Sequence, residues 1–301
     1  MARPKDAATD TQDLSNSMSM MKFLIALCAL VVVPGCIDNA THPDLQPWLP
    51  PGNGAGLIGC TPNLDGVISS AELQAAIGVP ARYRLGFDQA VDPTGLVSSS
   101  GKRSWDWGWS SAGELALTIA AENASDKWYA SKFTGAQFAG AQFTTPFDLE
   151  GKLDAVYRKD DKGLWLLGLV SRVPKPTAGL TWMPYDPPVL AVQLPLKAGD
   201  SWTSTGVIKG GSFNGLPYAG TDTYTYRVAA AGALILPDLA IEQALQVTVQ
   251  VTLSPVIGKP ITSRQISYFS ECLGEVARAS ATADEPAELF TKAAQLRRLG
   301  L

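Results

Sequence analysis

From residue 81 onward, apolar residues recur at every second position in segment after segment, and this period constrains the fold more than any other property of the chain. Successive side chains of a β-strand point to opposite faces, so each such segment has one face to bury and one that tolerates water. Leu245-Gln-Val-Thr-Val-Gln-Val-Thr-Leu253 is the clearest case, with Leu245, Val247, Val249, Val251 and Leu253 facing inward. Asp222–Val228 alternates in the same way, and Arg82–Phe87, Trp202–Ile208, Ile261–Phe269 and Glu275–Ser280 read as further strands. Lys159-Asp-Asp-Lys-Gly163 is a hairpin signal, and Leu164–Ser171, apolar on both faces, belongs in the middle of a sheet covered on both sides. The tail Glu288–Leu301 suits a helix and a strand equally; the meander before it favours a closing strand. The expected fold is mainly β: a large curved antiparallel sheet, half-barrel or sandwich, with one short N-terminal helix. A single domain should span 60–301, with the proline-studded stretch 173–188 as a candidate lobe boundary.

Ser104-Trp-Asp-Trp-Gly-Trp109 alternates strictly and puts Trp105, Trp107 and Trp109 on one face. A hairpin through residues 110–114 would set Trp109 opposite Leu115, Trp107 opposite Leu117 and Trp105 opposite Ile119. Two readings of that face stand side by side: half of a sheet's core, or an aromatic lining for an apolar or saccharide ligand.

Lys22 is followed by eleven uninterrupted apolar residues, Phe23–Val33, and then by Pro34-Gly35-Cys36. About 20 apolar residues are needed to span a bilayer as a helix, so a shorter run behind a cation reads as a secretory signal. Val33-Pro-Gly-Cys36 resembles the lipobox of bacterial lipoprotein signal peptides. The resemblance implies cleavage before Cys36, acylation of Cys36, and an anchor in a lipid bilayer of the bacterial cell envelope. Ile37 at the second mature position, in place of Asp, points to the outer membrane. Residues 1–35 are then leader and signal, and 36–59, rich in Pro and Gly, are a disordered tether.

Export would leave Cys60 and Cys272 as the cysteines of the folded part, in an oxidising compartment where a lone pair most economically joins itself; two separate buried thiols are the alternative. Thr61-Pro-Asn-Leu-Asp-Gly-Val-Ile-Ser-Ser-Ala-Glu72 resembles an EF-hand or dockerin calcium loop, with Asn63, Asp65, Val67 (by its carbonyl) and Glu72 at ligand positions. Thr61 replaces the first Asp, so the affinity implied is that of the lowest-affinity extracellular modules. The other reading of this stretch is an Asp-Gly turn leading into a short helix, Ser70–Ile77. Gly135-Ala-Gln-Phe-Ala-Gly-Ala-Gln-Phe143 is similar to two turns of a pentapeptide solenoid, too few to stack, and reads as a loop or irregular edge.

Leu194-Pro-Leu-Lys-Ala-Gly-Asp-Ser-Trp202, Leu236-Pro-Asp238 and Cys272-Leu-Gly-Glu-Val-Ala-Arg278 resemble a pattern in exported lipoproteins of deltaproteobacteria. Such chains are similar in layout to the curved half-barrels of Lol-type lipoprotein carriers, a likeness of fold that implies no reaction.

The sequence holds one histidine, His42, on the tether, and lacks a nucleophile elbow, a phosphate loop and a Cys-x-x-Cys pair. Net charge is −4 with no basic cluster, which argues against a nucleic-acid partner. Three functions follow: a non-catalytic carrier or binder of an apolar ligand such as a lipid, with no cofactor unless calcium; a structural or interaction lipoprotein; or a carboxylate hydrolase using Asp88 with Asp92, or Asp106. The first is the expectation.

Overall fold

The computed structural model describes residues 60–133 and 140–300. The signal segment, Cys36, the tether with His42, and most of the pentapeptide-like stretch lie outside the described residues. In chain order the strands are β1 (Val67–Ile68), β2 (Pro80–Ala90), β3 (Leu96–Val97), β4 (Arg103–Asp106), β5 (Leu115–Ala120), β6 (Glu122–Asn123), β7 (Phe143–Pro146), β8 (Leu153–Asp160) and β9 (Gly163–Ser171). They continue as β10 (Trp182–Gln193), β11 (Leu196–Lys197), β12 (Ser201–Phe213), β13 (Leu216–Ile235), β14 (Ala240–Pro255), β15 (Ile261–Ser270), β16 (Gly274–Ser280) and β17 (Lys292–Gly300).

Thirteen of these run side by side in the order β5-β2-β17-β16-β15-β14-β13-β12-β10-β9-β8-β7-β6. Neighbours on this path are antiparallel, and most are consecutive in sequence, as short hairpin connections require. The two edge strands, β5 and β6, are separated in sequence by Ala121 alone. The sheet therefore curls until its edges come together, with no ladder across the seam: a nearly closed barrel. About eight strands leave room only for side chains and about sixteen leave an open channel, so a thirteen-strand curl encloses space that something has to fill. The stretch 173–188 does not divide the sheet, because β10 pairs with β9 on one side and β12 on the other. The prolines at 184, 187 and 188 sit at a register shift, where their missing N–H groups cost no ladder bond.

Register carries the period-two pattern across the sheet. Val247, Val249 and Val251 stand opposite Val228, Tyr226 and Tyr224 on one side and Ser267, Gln265 and Ser263 on the other, all facing the lumen. The intervening residues, such as Gln246 and Tyr268, face outward. That convex face is also covered. Trp105, Trp107, Leu234, Phe290 and Leu296 pack around Tyr268, and Tyr129 and Phe133 pack over Val156, Leu167 and Val170.

Two expectations fail. No helix forms over Ser70–Ile77; among the described residues, helical geometry is confined to two 3-10 turns, Ala124–Asp126 and Ala130–Lys132. Glu72 does reach back to Ser69, accepting hydrogen bonds from its N–H (2.8 Å) and hydroxyl (2.7 Å). But a single turn, closed by the Leu73 N–H on the Ser69 carbonyl at 3.1 Å, is all that forms: Ile68 and Leu73 dock in the luminal core and Ile77 bridges to Ala121, and the chain does not continue as a helix. The tryptophan hairpin is also absent: β4 runs parallel to β13, with Trp105 opposite Leu234, while β5 pairs with β2. Burial of two indoles against Tyr268 outweighs the short-range hairpin preference.

Residues 60–79 close one end of the barrel. β1 pairs with β11, Cys60 is bonded to Cys272 at a Cα–Cα distance of 5.6 Å, and the Cys272 N–H donates to the Glu72 carbonyl at 2.9 Å. Glu271 accepts from the Asn63 and Leu64 N–H groups at 2.7 and 2.9 Å. The bridge spans 212 residues, and a loop of that length corresponds to roughly 5 kcal/mol of unfolded-state entropy. Replacing both cysteines by serine should lower the denaturant midpoint by the equivalent of about 2–5 kcal/mol; an unchanged midpoint would show that the plug holds without the bridge.

Candidate functional site

Inside the curl lies a cavity of about 340 Å³, lined by residues from nearly every strand. Its wall is mainly apolar and aromatic, with Leu164, Leu166, Val249, Trp202, Tyr224 and Tyr226 at its centre. Trp202 stacks on Tyr226 with ring centroids 4.6 Å apart, and its indole N–H is satisfied by the Leu190 carbonyl at 3.0 Å. The plug residues Leu73, Gln74 and Ala75 form the floor. The lining meets the seam from both sides, through Tyr83 and Ile119 on one and Phe143, Thr145 and Phe147 on the other.

Four charged residues line this space: Lys159, Glu275, Arg278 and Arg297. Arg278 and Arg297 are direct cross-strand partners on β16 and β17, so their side chains share a face. Glu275 sits between them, accepting from Arg278 Nε at 2.7 Å and from Arg297 Nη2. In a regular strand residues 275 and 278 would point to opposite sides. A bulge between Tyr268–Ala277 and Phe269–Glu275 shifts the phase and turns both to the lumen, while Val276 and Ala277 are buried on the other face. Burial alone would raise the Glu275 carboxyl, but the two guanidinium groups hold it below its usual range. The Tyr83 phenol is raised by burial, against Arg297, whose guanidinium lies 5.0 Å from its ring centre.

A second polar group borders the cavity. Tyr185 donates to Asp222 at 2.7 Å and lies 3.3 Å from the Tyr224 hydroxyl. Gly206, directly opposite Asp222, makes room for it, since a Cβ there would come within 2.4 Å of the Tyr185 ring. Asp222 is buried and its second oxygen has no partner; burial lifts its carboxyl above the usual range despite the Tyr185 hydrogen bond.

The residues singled out in the sequence fall elsewhere. Trp105 and Trp107 are fully buried on the convex face, with centroids 4.9 and 4.7 Å from Tyr268, whose neighbours Ser267 and Phe269 line the lumen. Their indoles donate to the Pro93 and Asp92 carbonyls at 2.9 and 3.1 Å. Trp109 packs beside them, under the Arg298 guanidinium. The three therefore belong to the outer core and do not line the cavity, which corrects the ligand-lining expectation.

In the 61–72 loop, Asn63 accepts from the Asp65 N–H (2.9 Å) and Asp65 from the Val67 N–H (2.8 Å). With Glu72 held on Ser69, these side chains build the turn itself. Among the described residues no group of three or more His, Cys, Asp or Glu is placed to hold a metal ion. Asp88 reaches Lys292 at 3.7 Å on the surface, Asp92 caps the Thr94 and Gly95 N–H groups, and Asp106 caps Gly108. None of the three lines the cavity.

At the end opposite the plug, the hairpins expose a set of large apolar residues: Leu216 at 70 %, Val256 at 76 % and Ile257 at 91 %, with Phe147, Val173 and Phe213 beside them. Register places these turns at one level, since Pro146, Val170, Trp182 and Ser212 follow one another across β7 to β12. Phe147 belongs both to this rim and to the cavity wall.

No protein-family model matches this sequence, no curated protein matches it, and no solved structure matches its fold.

The buried Asp222 generates a pH dependence. Its charged form is disfavoured in the fold, so its contribution to stability is full below the unfolded-state value, about pH 4, and is lost as pH rises through the raised folded value. Asp222→Asn removes that titration while leaving an acceptor for Tyr185. The stability of the variant relative to wild type should climb between pH 4 and pH 7 in paired thermal melts; a difference that stays flat with pH would contradict the assignment.

Proposed function

We propose that this protein is a lipid-anchored, non-catalytic lipoprotein of the bacterial cell envelope that binds or carries an apolar ligand inside its curved sheet. The observation that carries this reading is the cavity itself. Its volume of about 340 Å³ falls within the range of small-molecule pockets, about 300–1,000 Å³, and its wall is built from aliphatic and aromatic side chains contributed by strands around the whole curl. Apolar wall left against water forfeits burial worth about 25 cal/mol per Å², so an apolar guest is the occupant that wall favours. The exposed apolar rim supports the same reading, because clustered residues such as Leu216, Val256 and Ile257 suit contact with a bilayer from which such a guest would come. The lipobox-like Val33-Pro-Gly-Cys36 supplies an anchor that would hold the protein at a membrane, with acylated Cys36 in the outer membrane.

A structural or interaction lipoprotein is the second reading, favoured by the full burial of Trp105 and Trp107. Mass spectrometry of solvent-extracted protein, purified from its envelope without added detergent, separates the two. The carrier reading expects a lipid or other long-chain compound near one per chain. Protein that is correctly folded, carries its disulfide and yields no such compound contradicts it.

A further inference from the structure

We propose that the cavity takes an amphiphile with an anionic head, a long-chain carboxylate or phosphate monoester, whose head binds at Arg278 and Arg297. The proposal rests on the carrier reading above and names the chemistry of its guest. Three cations, Lys159, Arg278 and Arg297, and one anion, Glu275, line the cavity, in a chain whose overall charge is −4. Among the charged side chains of the wall, positive charge is thus in excess, beside uncharged polar groups such as Gln265 and Ser267 and an aliphatic and aromatic surface.

Burying charge without a partner is costly, and a lysine or carboxyl can relieve the cost by becoming neutral. A guanidinium cannot, because it stays protonated at any ordinary pH. Glu275 satisfies part of each arginine and no more. It accepts from one terminal nitrogen of Arg297, whose Nε is buried without a hydrogen-bond partner. It takes Nε of Arg278, whose side chain remains 36 % accessible although it lies among the residues that wall the lumen. The terminal nitrogens of Arg278 are the donors left for a guest. Burial raises the phenols of Tyr157 and Tyr226, on β8 and β13, and the Arg278 charge opposes that rise in part. An oxyanion at this point would neutralise the excess charge, and a fork of N–H donors suits a carboxylate or phosphate. The aliphatic tail would run along Leu164, Trp202 and Val249.

The test is calorimetric titration of the full chain with three twelve-carbon probes below their micelle thresholds: dodecanoate, dodecyl phosphate and neutral dodecanol. Both anions should bind more tightly than dodecanol, and the better of the two identifies the head. Arg278→Gln should weaken anion binding about tenfold or more and narrow the preference for the anions over dodecanol. Glu275→Gln removes the competing carboxylate and should tighten anion binding, an effect that a merely structural ion-pair network would not produce. Equal affinity for dodecanoate and dodecanol, with neither variant changing the ratio, would overturn the head-group site and leave the apolar cavity standing. Failure of all three probes to bind would overturn the carrier reading and this proposal with it.

Discussion

A sheet of thirteen strands with apolar residues on both faces must bury both, and the rest of the structure answers that requirement. Curling the sheet on itself brings Val247, Val249 and Val251 of β14 into one core with Val192 of β10, Leu164 of β9 and the plug residues Ile68 and Leu73, so the concave face covers itself. The convex face cannot be covered this way, and chain outside the barrel path is laid over it. Around Tyr268 the cover is the tryptophan segment with Phe290; over β8 and β9 it is the turn region holding Tyr129 and Phe133. Two buried polar contacts fix these covers in place: Tyr129 donates to Asp154 at 2.7 Å, and Arg298 holds the Trp107 and Trp109 carbonyls at 2.6 and 2.5 Å while pairing with Glu114.

Curling leaves its own problem at the ends and in the middle. The plug solves one end, tying the start of the described chain to the β15–β16 turn by a disulfide, a backbone hydrogen bond and the Glu271 carboxylate. The other end keeps its apolar hairpin tips exposed. In the middle, side chains such as Tyr185, Met183 and Ile208 fill part of the lumen, and the remaining space carries an aromatic wall and a cationic cluster. The side chains of Asn63, Asp65 and Glu72, which stand at calcium-loop spacing in the sequence, shape the turn of the plug.

The β class, the antiparallel meander, the closing strand at the C-terminus and the Cys60–Cys272 bond were legible in the sequence, because period-two alternation and an unpaired cysteine pair are local or countable signals. The lumen's chemistry was not. Glu275 and Arg278 share a face only because a bulge shifts the strand by one residue, and nothing in Gly274-Glu-Val-Ala-Arg278 announces it. Alternation reports that residues share a face but not which face, so Trp105 and Trp107 looked as eligible for the luminal wall as Trp202 and Tyr226, which line it. The Asp-Gly turn ahead of Ser70 suggested a helix over Ser70–Ile77, which tertiary anchors at Ile68, Leu73 and Ile77 replaced by a series of turns. Each error has one origin: long-range packing decided between two locally equivalent outcomes.

The central claim is that the space inside the curled sheet is the binding site, and filling that space tests it most directly. Val249 lines the lumen, and Val249→Trp would place an indole where a guest would lie, in a cavity whose volume of about 340 Å³ is large enough to take the added ring. The account predicts that the variant keeps the thermal midpoint of the parent and loses binding of neutral dodecanol. A variant that folds with the parent's stability and still binds dodecanol as before would contradict it, and would place binding outside the lumen.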